Sequence, residues 1–175
     1  MKNYDVIYEH AADNYGLITS SAAKTLGIPN VELVKLAHRG RLCRLGHGLY
    51  RLTRYIPTAF DKYAEALAMV GSGAIIYGES VLSMHSLALV NPVAIQVAVH
   101  YRVRKNLPEH IKIVCLEKAC DEVVYEGIPC QSVFEAILAC KGFVMSERLA
   151  DAIDEAARQG LITKAEAETA RTKLL

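Results

Sequence analysis

Residues 40–52 read Gly40-Arg41-Leu42-Cys43-Arg44-Leu45-Gly46-His47-Gly48-Leu49-Tyr50-Arg51-Leu52, and this stretch decides the fold. Two short arms, Leu42–Leu45 and Leu49–Leu52, flank Gly46-His47-Gly48. A three-residue loop containing glycine between two strand candidates predicts a hairpin. Alternation is imperfect in the first arm, so the length of that strand stays open.

Upstream, Pro29-Asn30 opens a helix whose inner stripe is Leu33, Leu36 and Ala37 and whose stop is Gly40. Before it, Thr19 suits the N-cap of a short helix, Ser20–Leu26, and Gly27 stands where a helix C-terminal glycine belongs. A few residues, Gly27 among them, separate the two helices, as a helix-turn-helix requires. The first segment, Lys2–Asn14, places Val6, Ile7, His10 and Ala11 near one helical face and ends at Gly16. A hairpin directly after the second helix of such a motif is a wing. Residues 1–56 are therefore expected to form a winged helix-turn-helix.

Downstream, Pro57 marks a linker at Arg54–Pro57, and residues 57–175 read as a second, mixed α/β domain with C-terminal helices. Thr58 suits the cap of a helix running through Tyr63 to Val70, and Gly71-Ser72-Gly73 breaks it. Strands are expected at Ala74–Tyr77, Ala94–Tyr101, Ile111–Leu116 and Glu122–Tyr125, the last turning at Glu126-Gly127, with a helix at Glu79–Leu89. Ser132-Val133-Phe134-Glu135 and Thr163-Lys164-Ala165-Glu166 read as capping boxes, and Ser146 to Gly160 spans another helix. The fold class is α+β.

Composition narrows the function. The 175 residues are 52% hydrophobic and 22% charged, enough for a packed core and incompatible with disorder. The longest apolar runs, Ala64–Val70 and Ala94–Val99, fall far short of the roughly 20 residues a membrane helix needs. Met1-Lys2-Asn3-Tyr4-Asp5 lacks an apolar signal core, so a cytoplasmic location is expected. The net charge of +1 divides unevenly: residues 1–54 hold eight Lys/Arg against four Asp/Glu, and the remainder twelve against fifteen. From Val31 to Arg54, six basic residues face only Glu32. A basic module joined to an acidic remainder points to nucleic acid at one end and another partner at the other.

On the second helix of the motif, Asn30, Glu32, Val34, Lys35, His38 and Arg39 share the outer faces. Such a helix offers hydrogen-bonding groups to base edges and cations to phosphates. Asn30, Lys35 and Arg39 are the candidates for base edges. Arg41, Arg44, Arg51 and Arg54 continue the positive surface along the hairpin. His47 sits at the hairpin tip, where it either approaches a minor groove or is a solvated loop histidine. Tyr50 is expected in the core.

Catalytic, cofactor and metal signatures fail. Gly71-x-Gly73 precedes a strand rather than following one and has no Walker lysine. Gly78-Glu79-Ser80-Val81-Leu82 lacks the second glycine of a nucleophile elbow, and Ser83, His85 and Ser86 read as polar faces of a packed helix. Cys43, Cys115, Cys120, Cys130 and Cys140 form no C-x-x-C pair and read as small buried hydrophobes.

Gly16-Leu-Ile-Thr19, Gly27-Ile28, Leu33-x-x-Leu36, Gly40-x-Leu42-x-Arg44-Leu45, Gly48-x-Tyr50 and Arg51-Leu52 resemble the N-terminal winged-helix domain of AbiE-type antitoxins, from type IV toxin–antitoxin systems. Tyr77–Leu87 resembles the helix opening that family's second domain, and Ile128–Leu138 a stretch of that domain ending in Ala136-Ile137-Leu138. Where the family often carries an acidic residue shortly after that triplet, this chain has Ala139-Cys140. The resemblance implies an autorepressor of a toxin–antitoxin promoter. Its expected partners are double-stranded DNA, with inverted repeats at its own promoter, and functionally a nucleotidyltransferase-like toxin, with direct contact left open. It implies no membrane association and a monomer or weak dimer. A stand-alone regulator whose second domain senses a ligand or protein is the alternative, and an enzyme with a winged-helix accessory is the third reading.

Overall fold

The computed structural model describes residues 2–174. Contacts divide the chain into two compact units, residues 1–71 and 72–175.

The first unit begins with α1 (Lys2–Ala12), β1 (Leu17–Thr19), α2 (Ser20–Thr25) and α3 (Asn30–His38). The hairpin β2 (Leu42–Gly46) and β3 (Leu49–Leu52) and helix α4 (Asp61–Val70) complete it. The Thr19 side chain accepts the Ala22 N–H at 3.0 Å and so caps α2, as its position predicts. Both helices of the motif end alike. Gly27 and Gly40 take φ of +74° and +70°, which lets Ile28 N–H reach Ala23 O at 2.8 Å and Arg41 N–H reach Leu36 O at 2.9 Å. These are Schellman closures, which need a left-handed residue and therefore favour glycine. They turn the chain sharply enough to lay α3 across α2 and then lead straight into the hairpin.

The core of this unit joins Ile7, Ala11, Ile18, Ala23, Ile28, Leu33, Leu36, Leu42, Tyr50 and Leu52. Tyr50 is buried, as expected, whereas Val6 is 39% exposed and outside the core stripe of α1. Leu33 is fully buried, so truncating it to alanine would cost about 2–5 kcal/mol. A third strand accompanies the hairpin: β1 pairs antiparallel with β3, Ile18 opposite Tyr50, giving the order β1-β3-β2. The register shifts between Arg44 and Gly46, which is where the alternation of the first arm fails.

The linker expectation placed α4 with the second domain, starting at residue 57, whereas contacts place it in the first unit and divide the chain after Gly71. Local bonds explain this. Asp61 Oδ1 accepts from Thr58 N at 3.0 Å, Thr58 Oγ1 at 2.6 Å and Tyr55 Oη at 3.1 Å. Thr58 thus serves the turn before α4 by holding Asp61, while its own Oγ1 accepts from Phe60 N at 3.2 Å. Arg51 on β3 also pairs with Glu65 on α4.

The second unit is built on a five-stranded mixed sheet of β4 (Ile75–Ile76), β5 (Ile95–Val99), β6 (Ile111–Cys115), β7 (Glu122–Tyr125) and β8 (Ile128–Gln131), in the order β6-β5-β4-β8-β7. β5 and β6 run parallel, as do β4 and β8, while β4–β5 and β7–β8 are antiparallel. Helix α5 (Glu79–Met84) connects β4 towards β5, and α6 (Val133–Ala139), α7 (Ser146–Arg158) and α8 (Lys164–Leu174) follow β8. On α7, Leu149, Ala152, Ile153 and Ala156 are buried, the spacing of one helical face.

Three local expectations are corrected, and one strand joins the sheet that the sequence reading did not include. Helix α5 ends at Met84 rather than Leu89, because Ser86, Ala88 and Leu89 adopt positive φ. Residues 128–131 form a strand despite Pro129. Only Ile76–Cys130 pair between β4 and β8, so the missing proline N–H interrupts little of that ladder. Ser132 caps α6 through Glu135 N at 3.4 Å, but the Glu135 carboxylate accepts from Asp121 N at 2.8 Å instead of closing the box on Ser132. The Thr163–Glu166 box does close, in both directions, and those bonds hold the Glu166 carboxyl below its usual range. Finally, Cys130 and Cys140 are fully buried, which pushes their thiols up to about 11 and about 12, Cys120 is half-buried, and Cys43 and Cys115 are exposed.

Candidate nucleic-acid interface

Helix α3 is held at one side by Leu33 and Leu36 and leaves the opposite side open. At 3.6 residues per turn, the centre of that open side is occupied by Val31, Lys35 and His38, flanked by Val34 and Arg39. Asn30, the first residue of the helix, is exposed at the margin of the face. Lys35 Nζ lies 2.9 Å from Glu32 Oε1, an exposed i,i+3 pair that contributes little and yields easily to a phosphate.

Beyond α3 the basic residues separate into two groups. Arg39, Arg41, Arg44 and Arg54 are exposed. Arg41 lies over the Tyr4 ring, 5.1 Å from its centre, and Arg44 Nε donates to Gly46 O at 3.2 Å, so both are steered, and among the described residues no carboxylate pairs with either. His47 is exposed at the hairpin tip. Arg51 stands apart: its Nη2 is 3.1 Å from Glu65 Oε2, and its guanidinium lies 5.9 Å from the Tyr55 ring centre. It links β3 to α4 and is not among the exposed cations. The tie was hidden in the sequence because Glu65 reaches β3 only after the chain turns back at Thr58–Asp61.

The arrangement presents, from one compact frame, a nine-residue helix with a polar and cationic outer side and a basic hairpin next to it. Its chemistry is that of a polyanion receptor with side chains able to read base edges. Residues 5–53 match the family described as transcriptional regulator, AbiEi antitoxin. The match runs from the first turn of α1 to just past β3, so it takes in the helix-turn-helix and both arms of the hairpin. It agrees with the AbiE-type resemblance of Gly16–Leu52. No curated protein matches the chain.

The two AbiE-like blocks of the second unit lie outside the matched residues, and the fold brings them together. Ile76 pairs with Cys130, and Gly78 N–H donates to Gln131 Oε1 at 3.2 Å. Tyr77, Cys120, Gln131, Glu135 and Leu138 border an open groove of about 520 Å³. Cys140, at the place where the family often has an acid, is fully interior and offers that groove no charge. His85 is also buried, its ring tilted against that of Tyr125 with ring centres 4.0 Å apart. Among the described residues no group of three or more His, Cys, Asp and Glu side chains converges as a metal site would require, and no helix is long and apolar enough to cross a membrane.

Proposed function

We propose that this chain is an autorepressor and antitoxin: the first unit binds duplex DNA at its own promoter, and the second unit serves neutralisation of a nucleotidyltransferase-like toxin. The observation that carries the DNA half is the exposed outer side of α3 beside the basic hairpin, within the residues that match the AbiEi regulator family. In this reading α3 enters the major groove. Asn30, Lys35 and Arg39 address base edges, Arg41, Arg44 and Arg54 meet phosphates, and His47 lies at a wing tip against the adjacent backbone or minor groove. His38, at the centre of the outer side, faces the groove with them. Arg51 supports the wing from behind.

The antitoxin half rests on the resemblance of Tyr77–Leu87 and Ile128–Leu138, which meet along β4, β8, α5 and α6. The acidic balance of the residues after Arg54 suits a protein partner better than a phosphate backbone. A titration of the full chain against the DNA upstream of its own gene tests the first half, and co-expression with the neighbouring toxin gene, scored by growth, tests the second. Absence of binding at low salt removes the first; absence of rescue removes the second.

A further inference from the structure

Two valines occupy the outer side of α3, where an ordinary solvated helix would carry polar groups. Val31 is 54% exposed and Val34 42%. They are three residues apart, on the side opposite the buried Leu33 and Leu36. Local propensity does not explain them, since β-branched residues are poorer helix formers than alanine or the long polar residues. Each has a cationic or titratable neighbour one turn on: Lys35 follows Val31, and His38 follows Val34.

An apolar spot ringed by cations defines its occupant. Lys35, Arg39, Arg41 and Arg44 favour a polyanion over the apolar face of a protein partner. The major groove of duplex DNA contains one apolar feature, the C5-methyl group of thymine. The geometry points to Val31 and Val34 as specificity-determining residues that pack against thymine methyls at neighbouring base steps of the operator. This rests on the proposed DNA-binding reading and deepens it from a charged helix to a stated base preference. Cytosine is disfavoured at the same positions, because it lacks the methyl and would set its N4 donor against a side chain that cannot accept a hydrogen bond.

The test uses the full chain and the upstream duplex, with the protected site located first by footprinting. Thymines in that site are then replaced singly by deoxyuridine, which removes only the methyl group. Wild-type binding should weaken about four-fold at each contacted thymine, the effect of one buried methyl. Val31→Ala should abolish the penalty at one such thymine and Val34→Ala at a neighbouring one, each variant keeping its circular dichroism because alanine favours the helix. Wild-type affinity indifferent to every deoxyuridine, or alanine variants that retain the full penalty, would overturn the inference while leaving DNA binding standing. A wild-type chain that fails to bind the all-thymine duplex overturns the proposed function, and this assignment with it.

Discussion

The guanidinium of Arg51 stands 3.1 Å from the Glu65 carboxylate, so the third basic residue of the hairpin is spent on joining β3 to α4. This separates two kinds of arginine that look equivalent along the chain. Arg51→Ala is expected to lower stability by about 1–2 kcal/mol, the loss of a charged contact at a half-buried site. It should leave the salt dependence of DNA binding unchanged. Urea denaturation and salt-dependent anisotropy on the same variant check both; a flattened salt slope at unchanged stability would return Arg51 to the DNA surface.

Arg44 should behave in the opposite way. It is exposed on β2, and its Nε donates to the Gly46 carbonyl. Arg44→Ala should leave the urea midpoint where it is and flatten the plot of log K against log salt by about one unit. An unchanged slope would mean that Arg44 meets no phosphate.

Base readout and backbone contact are distinguishable on α3. Alanine at Asn30, Lys35 or Arg39 should cost about 1–3 kcal/mol on the operator where the residue makes a bidentate base contact. Random duplex should suffer less. Equal losses on both duplexes would make that residue a backbone contact. Asn30 is the most exposed to this outcome, since it lies at the margin of the outer side.

Acid sensitivity should trace to His85. Burial lowers its pKa from 6.5, and its Nε2 is buried with no hydrogen-bond partner among the described residues. Above 6.5 the imidazole is neutral folded or unfolded and costs nothing extra. As pH falls through that value the unfolded chain takes up the proton first, so stability is lost towards acid. His85→Phe keeps a ring against Tyr125 and removes the orphaned nitrogen. Its urea midpoint should therefore fall less than that of wild type between neutral pH and pH of about 5.5. Parallel midpoints would assign the acid loss to other groups.

The elements that were legible in the sequence are those whose bonds are local. Thr19, Gly27 and Gly40 set the two helices of the motif because caps and Schellman closures involve residues within one turn. The hairpin was legible from its glycines for the same reason. Strands β1 and β8 were not, since three or four residues show no periodicity and owe their pairing to Tyr50 and to Val123, Ile76 and their neighbours across the sheet. At the interface, Lys35, Arg39 and Arg44 were readable as charges in a basic stretch. Val31 is not among the outer residues read from the sequence, although Leu33, Leu36 and Ala37 already stand there as the inner stripe; the packing leaves it 54% exposed. Arg51 reads in the sequence as one more cation of the hairpin, because Glu65, its partner, arrives from another element.

DNA binding and neutralisation should separate in the full chain. Lys35→Glu with Arg44→Glu alters only exposed side chains of the first unit. The double variant should lose promoter repression and keep growth rescue against the toxin, with unchanged circular dichroism. Loss of both activities in a folded protein would mean that neutralisation works through the promoter.

The placement of α3 and the hairpin on duplex DNA is tested most directly by anisotropy titration of the full chain against its upstream duplex, run at several salt concentrations beside the Lys35→Glu, Arg44→Glu double variant. With Lys35, Arg39, Arg41, Arg44 and Arg54 at phosphates or bases, wild-type log K should fall against log salt with a slope of roughly −4, and the double variant should show no measurable binding. Equal affinity and equal slope for the two proteins would contradict it.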